Sequence, residues 1–278
     1  MKNITYCVKD ETIPVISNII HELSEFLMHN IIFIKPFCNI LNNIPFETIA
    51  ENSFMKDLEI YIKNESDKLD CLGIQKNLRN KFTGHLTSYF CCFEDNQVTN
   101  FLKYHSKYKL KTSFDTSLKA ITDEKKQCFV RIKGILFEGV VGDFLKTNYT
   151  MPNAKCSEGC KVLIDNILFK TKYHSIPRET IDFAGNKPSE SIADFVECKI
   201  SPIHIDEVVV SYAYGLKNAI ETAGYSNVRV ALASASSIHK IKKQVDDCLL
   251  NMGIPDNGLS YYGLGELYTL IFDVSMPA

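Results

Sequence analysis

Two side chains in the C-terminal half of the chain, Glu197 and Lys199, are spaced for shared chemistry. They lie in the apolar run of residues 192–200 (IADFVECKI), which has the composition of a β-strand. Because side chains alternate between the two faces of a strand, Glu197 and Lys199 point to one face and Cys198 points to the other. The spacing therefore predicts a carboxylate and an ammonium group side by side.

A second carboxylate, Asp182, lies fifteen residues before Glu197 in a strand predicted over residues 179–184. Residues 185–188 (GNKP) have the composition of a turn. A turn at this place predicts an antiparallel hairpin with residues 192–200. Such a hairpin brings Asp182 beside Glu197 at the end of a sheet.

Other acids compete with Asp182 for this place. Asp194 lies three residues before Glu197, and this spacing puts it on the opposite face of the strand. Asp165 is a weaker competitor because it lies one strand earlier. A further alternative is that Glu197 and Lys199 form an ion pair on an exposed edge strand.

Two carboxylates and a lysine are suited to the hydrolysis of a phosphodiester bond. Mg²⁺ and Mn²⁺ prefer oxygen ligands and retain several waters, so Asp182, Glu197 and a phosphate oxygen suffice to hold such an ion. The metal acidifies a bound water and stabilises the charge that develops on the phosphate. The sequence leaves two roles open for Lys199: it orients or helps to deprotonate the attacking water, or it pairs with the scissile phosphate.

The order of these residues resembles the PD-(D/E)xK signature of restriction-endonuclease-like nucleases. In this chain Asp182 precedes an apolar-apolar-Glu197-x-Lys199 strand, which a helix and a further strand follow. The segment Gly134–Glu138 (GILFE) is similar to the G-x-x-F-E helix of Mrr-like and resolvase-like members. The resemblance covers roughly residues 130–235 and departs from the pattern in that no proline precedes Asp182.

The resemblance implies a restriction-endonuclease-like core and Mg²⁺-dependent cleavage of DNA, or less often of RNA. It also implies that Glu138, on the first helix, supplies a further metal contact. A position on the helix surface is the alternative for Glu138. Lys217 lies on the predicted helix after the E-x-K strand, where several members of the superfamily contact the substrate backbone.

The elements predicted around these residues form an α/β core with a mixed central sheet. The periodicities from Gly134 onward are those of a helix, two or three strands, a helix and a strand. The predicted bounds are a helix over 134–148, strands over 162–172, 179–184 and 192–200, a helix over 206–222, a strand over 228–233 and a helix from Ser236 or Ser237 to Met252, with 259–274 undecided.

The N-terminal part of the chain is predicted to be mainly helical. Apolar residues recur at three- and four-residue intervals in residues 13–30, 45–64 and 74–90, which is typical of amphipathic helices. We therefore expect a helical accessory region over residues 1–125 and a nuclease core over residues 126–278.

The charge of the chain is distributed unevenly. The formal net charge is −2, yet residues 100–133 carry nine Lys and Arg against three acids, interleaved with aromatic residues. Such a segment is suited to phosphates and unstacked bases, with a solvated surface as the alternative. Lys107, Lys109 and Lys111 are therefore predicted to contact nucleic acid, together with Lys217.

Composition indicates a globular protein. The chain has 278 residues, of which 45% are hydrophobic and 23% charged. The ten cysteines follow no repeating framework and the N-terminus lacks the features of a signal peptide, so we expect a reducing, cytoplasmic environment. No uncharged apolar run has the length needed to cross a membrane.

Together these features predict a Mg²⁺- or Mn²⁺-dependent endonuclease that acts on DNA. Because the chain has no P-loop, any helicase or ATPase activity is expected on a separate subunit. In size and layout the chain is similar to nuclease subunits of the Hachiman kind, which implies an effector of bacterial anti-phage defence. Two alternatives stay open: an RNA-directed, toxin-like nuclease, and a catalytically silent module for nucleic-acid binding or assembly.

Overall fold

The fold is that of a computed structural model, which describes residues 1–8, 14–44, 54–93, 118–254 and 258–272. The chain forms two compact units. One unit combines residues 1–11 with residues 141–278, and the other comprises residues 12–140. The acid pair and the lysine singled out from the sequence all lie in the first unit.

A mixed sheet runs through the first unit. In the described residues its strands are β1 (Ile4–Val8), β2 (Lys155–Ile164), β3 (Ile167–Leu168), β6 (Ile181–Lys187), β7 (Ile192–Lys199), β8 (Asn227–Ser234) and β9 (Ser260–Tyr262). A separate two-stranded sheet consists of β4 (Thr171–Tyr173) and β5 (Ile176–Arg178). The strand order of the main sheet is β1-β2-β6-β7-β8-β9, and β3 pairs with β2.

The pairing directions confirm the predicted mixed sheet. The β1–β2, β2–β6 and β6–β7 pairs are antiparallel, whereas β7–β8 and β8–β9 are parallel. Parallel neighbours need a crossover, and a helix provides each of them in this sheet. Strands β7 and β8 lie inside the sheet, which explains why their sequences are nearly continuous apolar runs.

Helices occur in both compact units. In chain order they are α1 (Pro14–His29), α2 (Ile34–Asn43), α3 (Phe54–Asp67), α4 (Lys76–Cys91), α5 (Leu118–Lys146), α6 (Glu207–Thr222), α7 (Ile238–Met252) and α8 (Thr269–Phe272). Helix α6 connects β7 to β8, and α7 precedes β9. Asp206 begins α6 because its side chain accepts a hydrogen bond from the Val209 N–H (2.9 Å), the usual arrangement at a helix N-cap.

Helices α6 and α7 share a hydrophobic core with the sheet. Phe195 of β7 and Leu232 of β8 are fully buried in this core. Leu216 of α6 and Val245 of α7 are buried in it as well. Because side chains alternate along β7, Glu197 follows Phe195 on this same face of the sheet.

The second unit contains α1 to α4 and the part of α5 up to Val140. Aromatic rings form its centre: Phe33 lies 5.2 Å from Phe26 and 4.9 Å from Phe82, measured between ring centroids. The buried Tyr89 hydroxyl donates a hydrogen bond to the carbonyl of Ile132 (2.7 Å) and thereby ties α4 to α5. The described residues of this unit are thus mainly helical, as the periodicities predict.

The N-terminal strand β1 is a feature that the sequence patterns did not predict. Residues 4–8 pair with β2 from Ile4↔Ile164 to Val8↔Cys160. The start of the chain therefore belongs to the compact unit that carries the sheet, and the chain passes between the two units twice, after residue 11 and after residue 140. A five-residue strand gains its stability from a distant partner strand, so its own pattern is too short to reveal it.

The turn before β7 was predicted over residues 185–188, and this placement is wrong. Gly185 and Asn186 are paired within β6, and the turn is a short 3-10 helix over Pro188–Glu190, with Ser191 at φ 57°. A Cβ at Gly185 would lie 2.4 Å from the Tyr149 ring. Gly185 is therefore needed for close packing, not for a turn.

The strand predicted over residues 162–172 is also different in the structure. Strand β2 begins at Lys155, seven residues earlier, and ends at Ile164. Asp165 and Asn166 then form a two-residue turn with positive φ (51° and 65°), a conformation that Asp and Asn adopt more readily than most residues. Among the described residues, none of the helices is both long and apolar enough to cross a membrane.

Burial of the sheet core can be tested with a pair of matched substitutions. Leu232→Ala removes a fully buried side chain, so we expect it to lower the free energy of unfolding by about 2–5 kcal/mol. Leu250→Ala changes a side chain that is 80% exposed, so it should change the free energy of unfolding by less than about 0.5 kcal/mol. Urea unfolding of both variants checks this, and equal losses would contradict the placement of β8 inside the sheet.

Candidate functional site

The β6–β7 hairpin ends at the predicted acid pair. Its ladder runs from Lys187↔Ile192 to Phe183↔Val196. One residue beyond it, the Asp182 carboxylate accepts a hydrogen bond from the Cys198 backbone N–H (2.8 Å, Oδ2). A side chain thus takes the place of a backbone acceptor, which fixes Asp182 against the end of β7.

Lys199 joins the two carboxylates. Its Nζ donates a hydrogen bond to Glu197 Oε1 and lies 3.8 Å from Asp182 Oδ2. The same Nζ also donates to the Cys198 carbonyl (3.0 Å). The predicted hairpin is thereby confirmed, and Asp182, Glu197 and Lys199 lie together.

A fourth residue of the cluster, Arg178, is one that the sequence patterns did not predict. It ends β5, and its Nη2 forms an ion pair with Glu197 Oε1. Its guanidinium carbon lies 5.7 Å from the ring centroid of Tyr212, a residue of α6. No spacing rule links Arg178 to Glu197, because the two residues belong to different sheets and meet only in the folded chain.

Glu197 is buried, with 1% of its side chain exposed, although it carries a charge. Burial opposes ionisation of this carboxyl, but the Arg178 guanidinium and the Lys199 ammonium outweigh it and hold the pKa of Glu197 below its ordinary value. Burial alone would lower the pKa of Arg178, but the negative charges of Glu197 and Asp182 have the larger effect and raise this pKa above its ordinary value. Two carboxylates and two cations leave the cluster with no formal net charge.

Three polar atoms of this cluster are buried without a hydrogen-bond partner in the described part of the chain. They are Glu197 Oε2, Arg178 Nε and the Tyr212 hydroxyl. A buried polar atom without a partner costs about 1–3 kcal/mol, and such atoms often mark a functional site. Glu197 therefore retains an oxygen that can still accept a ligand.

The donor set fits a hard divalent cation. Asp182 and Glu197 offer carboxylate oxygens, and Mg²⁺ needs few protein ligands because it keeps several waters. Within residues 1–8, 14–44, 54–93, 118–254 and 258–272 there is no group of three or more His, Cys, Asp or Glu side chains arranged for a metal. Asp182 and Glu197 are the carboxylates of this cluster that would hold such an ion, together with waters and substrate oxygens.

The competing acids have structural partners instead. Asp194 accepts two hydrogen bonds from Arg229 (3.0 Å to Oδ1 from Nε, 3.1 Å to Oδ2 from Nη2) and a third from the Tyr149 hydroxyl. Asp165 lies in the turn after β2, where its Oδ1 accepts a hydrogen bond from the Asn3 N–H (2.9 Å). These partners hold both acids away from Lys199, which favours Asp182 as the partner of Glu197.

The remaining predicted site residues stay predictions. Glu138 is half-buried on α5 and belongs to the second compact unit, so its role stays a prediction. Lys217 pairs with Glu221 one turn further along α6. Lys107, Lys109 and Lys111 lie outside the described residues.

Two comparisons, with protein-family models and with curated proteins, bear on the function of the chain. No family model matches it, and among curated proteins there is no significant match. The functional interpretation therefore depends on the cluster itself.

The ion pairs of Glu197 predict a pH dependence of stability. Because the pKa of Glu197 lies below its ordinary value of 4.5 in the folded chain, these pairs stabilise the fold fully above about pH 4.5, and the stabilisation is lost as the pH falls through the lowered pKa. Glu197→Gln should lower the free energy of unfolding by about 3–5 kcal/mol near neutral pH, since it leaves Arg178 without its buried partner. Below pH 4.5 the difference from the unchanged protein should shrink.

Urea unfolding at a series of pH values measures this difference. The matched control is Glu190→Gln, which changes an exposed acid on the turn between β6 and β7 and should unfold like the unchanged protein at each pH. A Glu197→Gln deficit that stays constant from neutral pH to pH 3 would show that Glu197 is not held as a charged group.

Proposed function

We propose that this chain is a metal-dependent endonuclease of the PD-(D/E)xK, restriction-endonuclease-like kind, which hydrolyses phosphodiester bonds of DNA. The observation that supports this most directly is the position of Lys199 Nζ, which contacts Glu197 and lies 3.8 Å from Asp182 at the end of the β6–β7 hairpin. An acid pair with a lysine between its members is suited to metal-assisted phosphodiester hydrolysis, because the acids can hold the metal and the lysine can act on the water or the phosphate.

In this proposal Asp182 and Glu197 hold Mg²⁺ or Mn²⁺. When bound, such an ion acidifies a water and neutralises charge that develops on the phosphate. Lys199 is fixed by its hydrogen bonds to Glu197 and to the Cys198 carbonyl, so it can hold the attacking water or the phosphate in one orientation. Glu138 is proposed as an additional ligand by its resemblance to the first-helix glutamate of related nucleases.

The order of elements agrees with a restriction-endonuclease-like core. Helix α5 is followed by β2, β6 and β7, then by α6 and β8, and the acid pair lies where β6 and β7 end. Strands β2, β6 and β7 are antiparallel neighbours, and β8 is parallel to β7. This topology places the E-x-K strand at the centre of the sheet, between the strand of Asp182 and the parallel strand β8.

We further propose that the protein acts as an effector in anti-phage defence together with a separate helicase or ATPase subunit. The proposal follows from the absence of a P-loop in the sequence and from the similarity in size and layout to nuclease subunits of the Hachiman kind. An RNA substrate is the alternative, and the basic, aromatic segment of residues 100–133 is compatible with either nucleic acid.

One observation favours a second candidate, a catalytically silent module for nucleic-acid binding or assembly. Arg178 and Lys199 together neutralise the acid pair without a metal. A site that is already neutral has less attraction for a divalent cation than a pair of free carboxylates. The two candidates differ in whether the purified chain binds a metal and cleaves.

The nuclease is tested by incubating the purified protein with plasmid, linear duplex, single-stranded DNA and RNA in the presence of Mg²⁺, Mn²⁺ or EDTA. We expect metal-dependent cleavage of DNA that EDTA abolishes. Asp182→Asn, Glu197→Gln and Lys199→Met should each lower the cleavage rate by about 100-fold or more, because each removes a group that acts on the water, the metal or the phosphate.

Glu190→Gln is the matched control for the acidic substitutions and should cleave at the rate of the unchanged protein. Cleavage that survives the three site substitutions would contradict the site. Binding of nucleic acid without cleavage, under conditions where Mn²⁺ does not bind, would favour the silent module.

A further inference from the structure

Arg178 occupies an unusual position for a residue outside the E-x-K strand. Its guanidinium contacts the same oxygen of Glu197, Oε1, that accepts the hydrogen bond from Lys199. It also lies within the field of the Asp182 carboxylate. Arg178 is therefore a positive charge at the two carboxylates that the proposed function assigns to a divalent cation.

A guanidinium and a divalent cation compete for such a place. Both are attracted by the same two carboxylates, and both cannot lie against Glu197 without mutual repulsion in a buried site. Glu197 Oε2 accepts no hydrogen bond within the described residues but is buried, and Oε1 is held by Arg178 and Lys199, so neither oxygen is exposed to an approaching cation. Full access of a cation to the carboxylate requires Arg178 to move.

The element that carries Arg178 permits this movement. Strands β4 and β5 pair with each other and form a sheet of their own, separate from the central one. Their two-residue turn is His174-Ser175, with φ 44° and 72°, the positive values of a tight hairpin. The hairpin packs on α6, but the Arg178 side chain itself is held by its ion pair with Glu197 and its contact with the Tyr212 ring, so this side chain can leave Glu197 without breaking the ladder of the main sheet.

We propose that Arg178 is the resident counter-ion of Glu197, that metal binding displaces it, and that the released guanidinium then contacts a phosphate of the nucleic acid. This inference rests on the proposed function. Arginine suits the second role because its planar guanidinium makes paired hydrogen bonds to phosphate oxygens. The same side chain thus keeps the buried carboxylate neutralised in the free protein and becomes available to the substrate when the metal arrives.

A linkage between metal and nucleic acid follows. In the free protein, Arg178 lowers the affinity for the metal, because its ion pair must be broken. A bound phosphate offers the displaced guanidinium a new partner and so strengthens metal binding, and the metal strengthens binding of nucleic acid by the same factor. Arg178 would thereby make metal binding stronger in the substrate-bound protein than in the free protein.

The test measures the affinity for Mn²⁺ by isothermal titration calorimetry in the absence of nucleic acid, and the cleavage rate of duplex DNA at saturating Mn²⁺. Arg178→Met keeps an unbranched apolar side chain and removes the guanidinium and its charge. We expect it to bind Mn²⁺ about tenfold more tightly or better, within the range of typical coupling between sites, and to cleave about tenfold more slowly or worse. These opposite changes distinguish a displaced counter-ion from a residue that only supports the fold.

Three further variants make the test specific. Lys172→Met removes an exposed charge from the same hairpin and should match the unchanged protein in both measurements. Adding Glu197→Gln to Arg178→Met should abolish the gain in Mn²⁺ affinity, because the gained site is at Glu197. Arg178→Lys retains a charge but cannot make the paired hydrogen bonds of a guanidinium, so we expect a smaller gain in Mn²⁺ affinity. Thermal unfolding shows whether Arg178→Met folds. If it does not fold, Arg178→Lys replaces it in both measurements.

The outcomes separate this inference from the proposed function. If the unchanged protein cleaves DNA with Mn²⁺ and Arg178→Met binds Mn²⁺ no more tightly, the counter-ion role is overturned while the nuclease stands. If Arg178→Met binds Mn²⁺ more tightly and cleaves as fast at saturation, the contact with phosphate is overturned. If neither the unchanged protein nor any Arg178 variant binds Mn²⁺ or cleaves, the proposed function is overturned, and this inference with it.

Discussion

Glu197 places a charged carboxylate in the interior of a sheet, and the positions of the cations around it follow from the need to compensate for that buried charge. Burial of a carboxylate destabilises the folded state unless nearby charges and hydrogen bonds compensate for its lost hydration. Lys199 compensates from the same strand, and Arg178 from a separate hairpin. Because both cations contact one oxygen of Glu197, the other oxygen is left without a hydrogen bond among the described residues. The cluster thus combines the absence of a formal net charge with a buried acceptor oxygen that makes no hydrogen bond among the described residues.

The cluster is positioned by strands β6 and β7, at the place where their pairing ends. Strands β6 and β7 pair until Phe183↔Val196, and beyond that pair the Asp182 carboxylate replaces a backbone acceptor by binding the Cys198 N–H. Together with the register of the two strands, this hydrogen bond holds Asp182 beside Glu197. On the face of the sheet that carries Glu197, Phe195 is buried in the core shared with α6 and α7 and holds β7 in its register. A shift of β7 by one residue would expose the core and move the lysine to the opposite face.

Local patterns predicted much of this fold. Alternation along β7 placed Glu197 and Lys199 together, and helix periodicity gave α6 and α7 to within two residues. Asp194 was correctly set aside by the same alternation: it lies with Arg229 and Tyr149, away from Lys199. These results share one cause, since each depends on residues that are near one another in sequence.

Features that depend on distant contacts were missed. Gly185 has the composition of a turn residue, but the ring of Tyr149 decides its role. Strand β1 is defined by its pairing with β2, more than 150 residues away. Arg178 meets Glu197 only because its hairpin packs on α6 at Tyr212. Sequence spacing alone therefore identified the two acids and the lysine but not the charge that balances them.

Asp182 and Glu197 are proposed to form a metal site, and both the nuclease and the role of Arg178 depend on it. The most direct measurement is a crystal structure with Mn²⁺, in which anomalous scattering locates the ion. We predict one Mn²⁺ about 2 Å from carboxylate oxygens of both Asp182 and Glu197, with the Arg178 guanidinium moved away from Glu197. An ion bound elsewhere, with Arg178 still paired to Glu197, would contradict this claim.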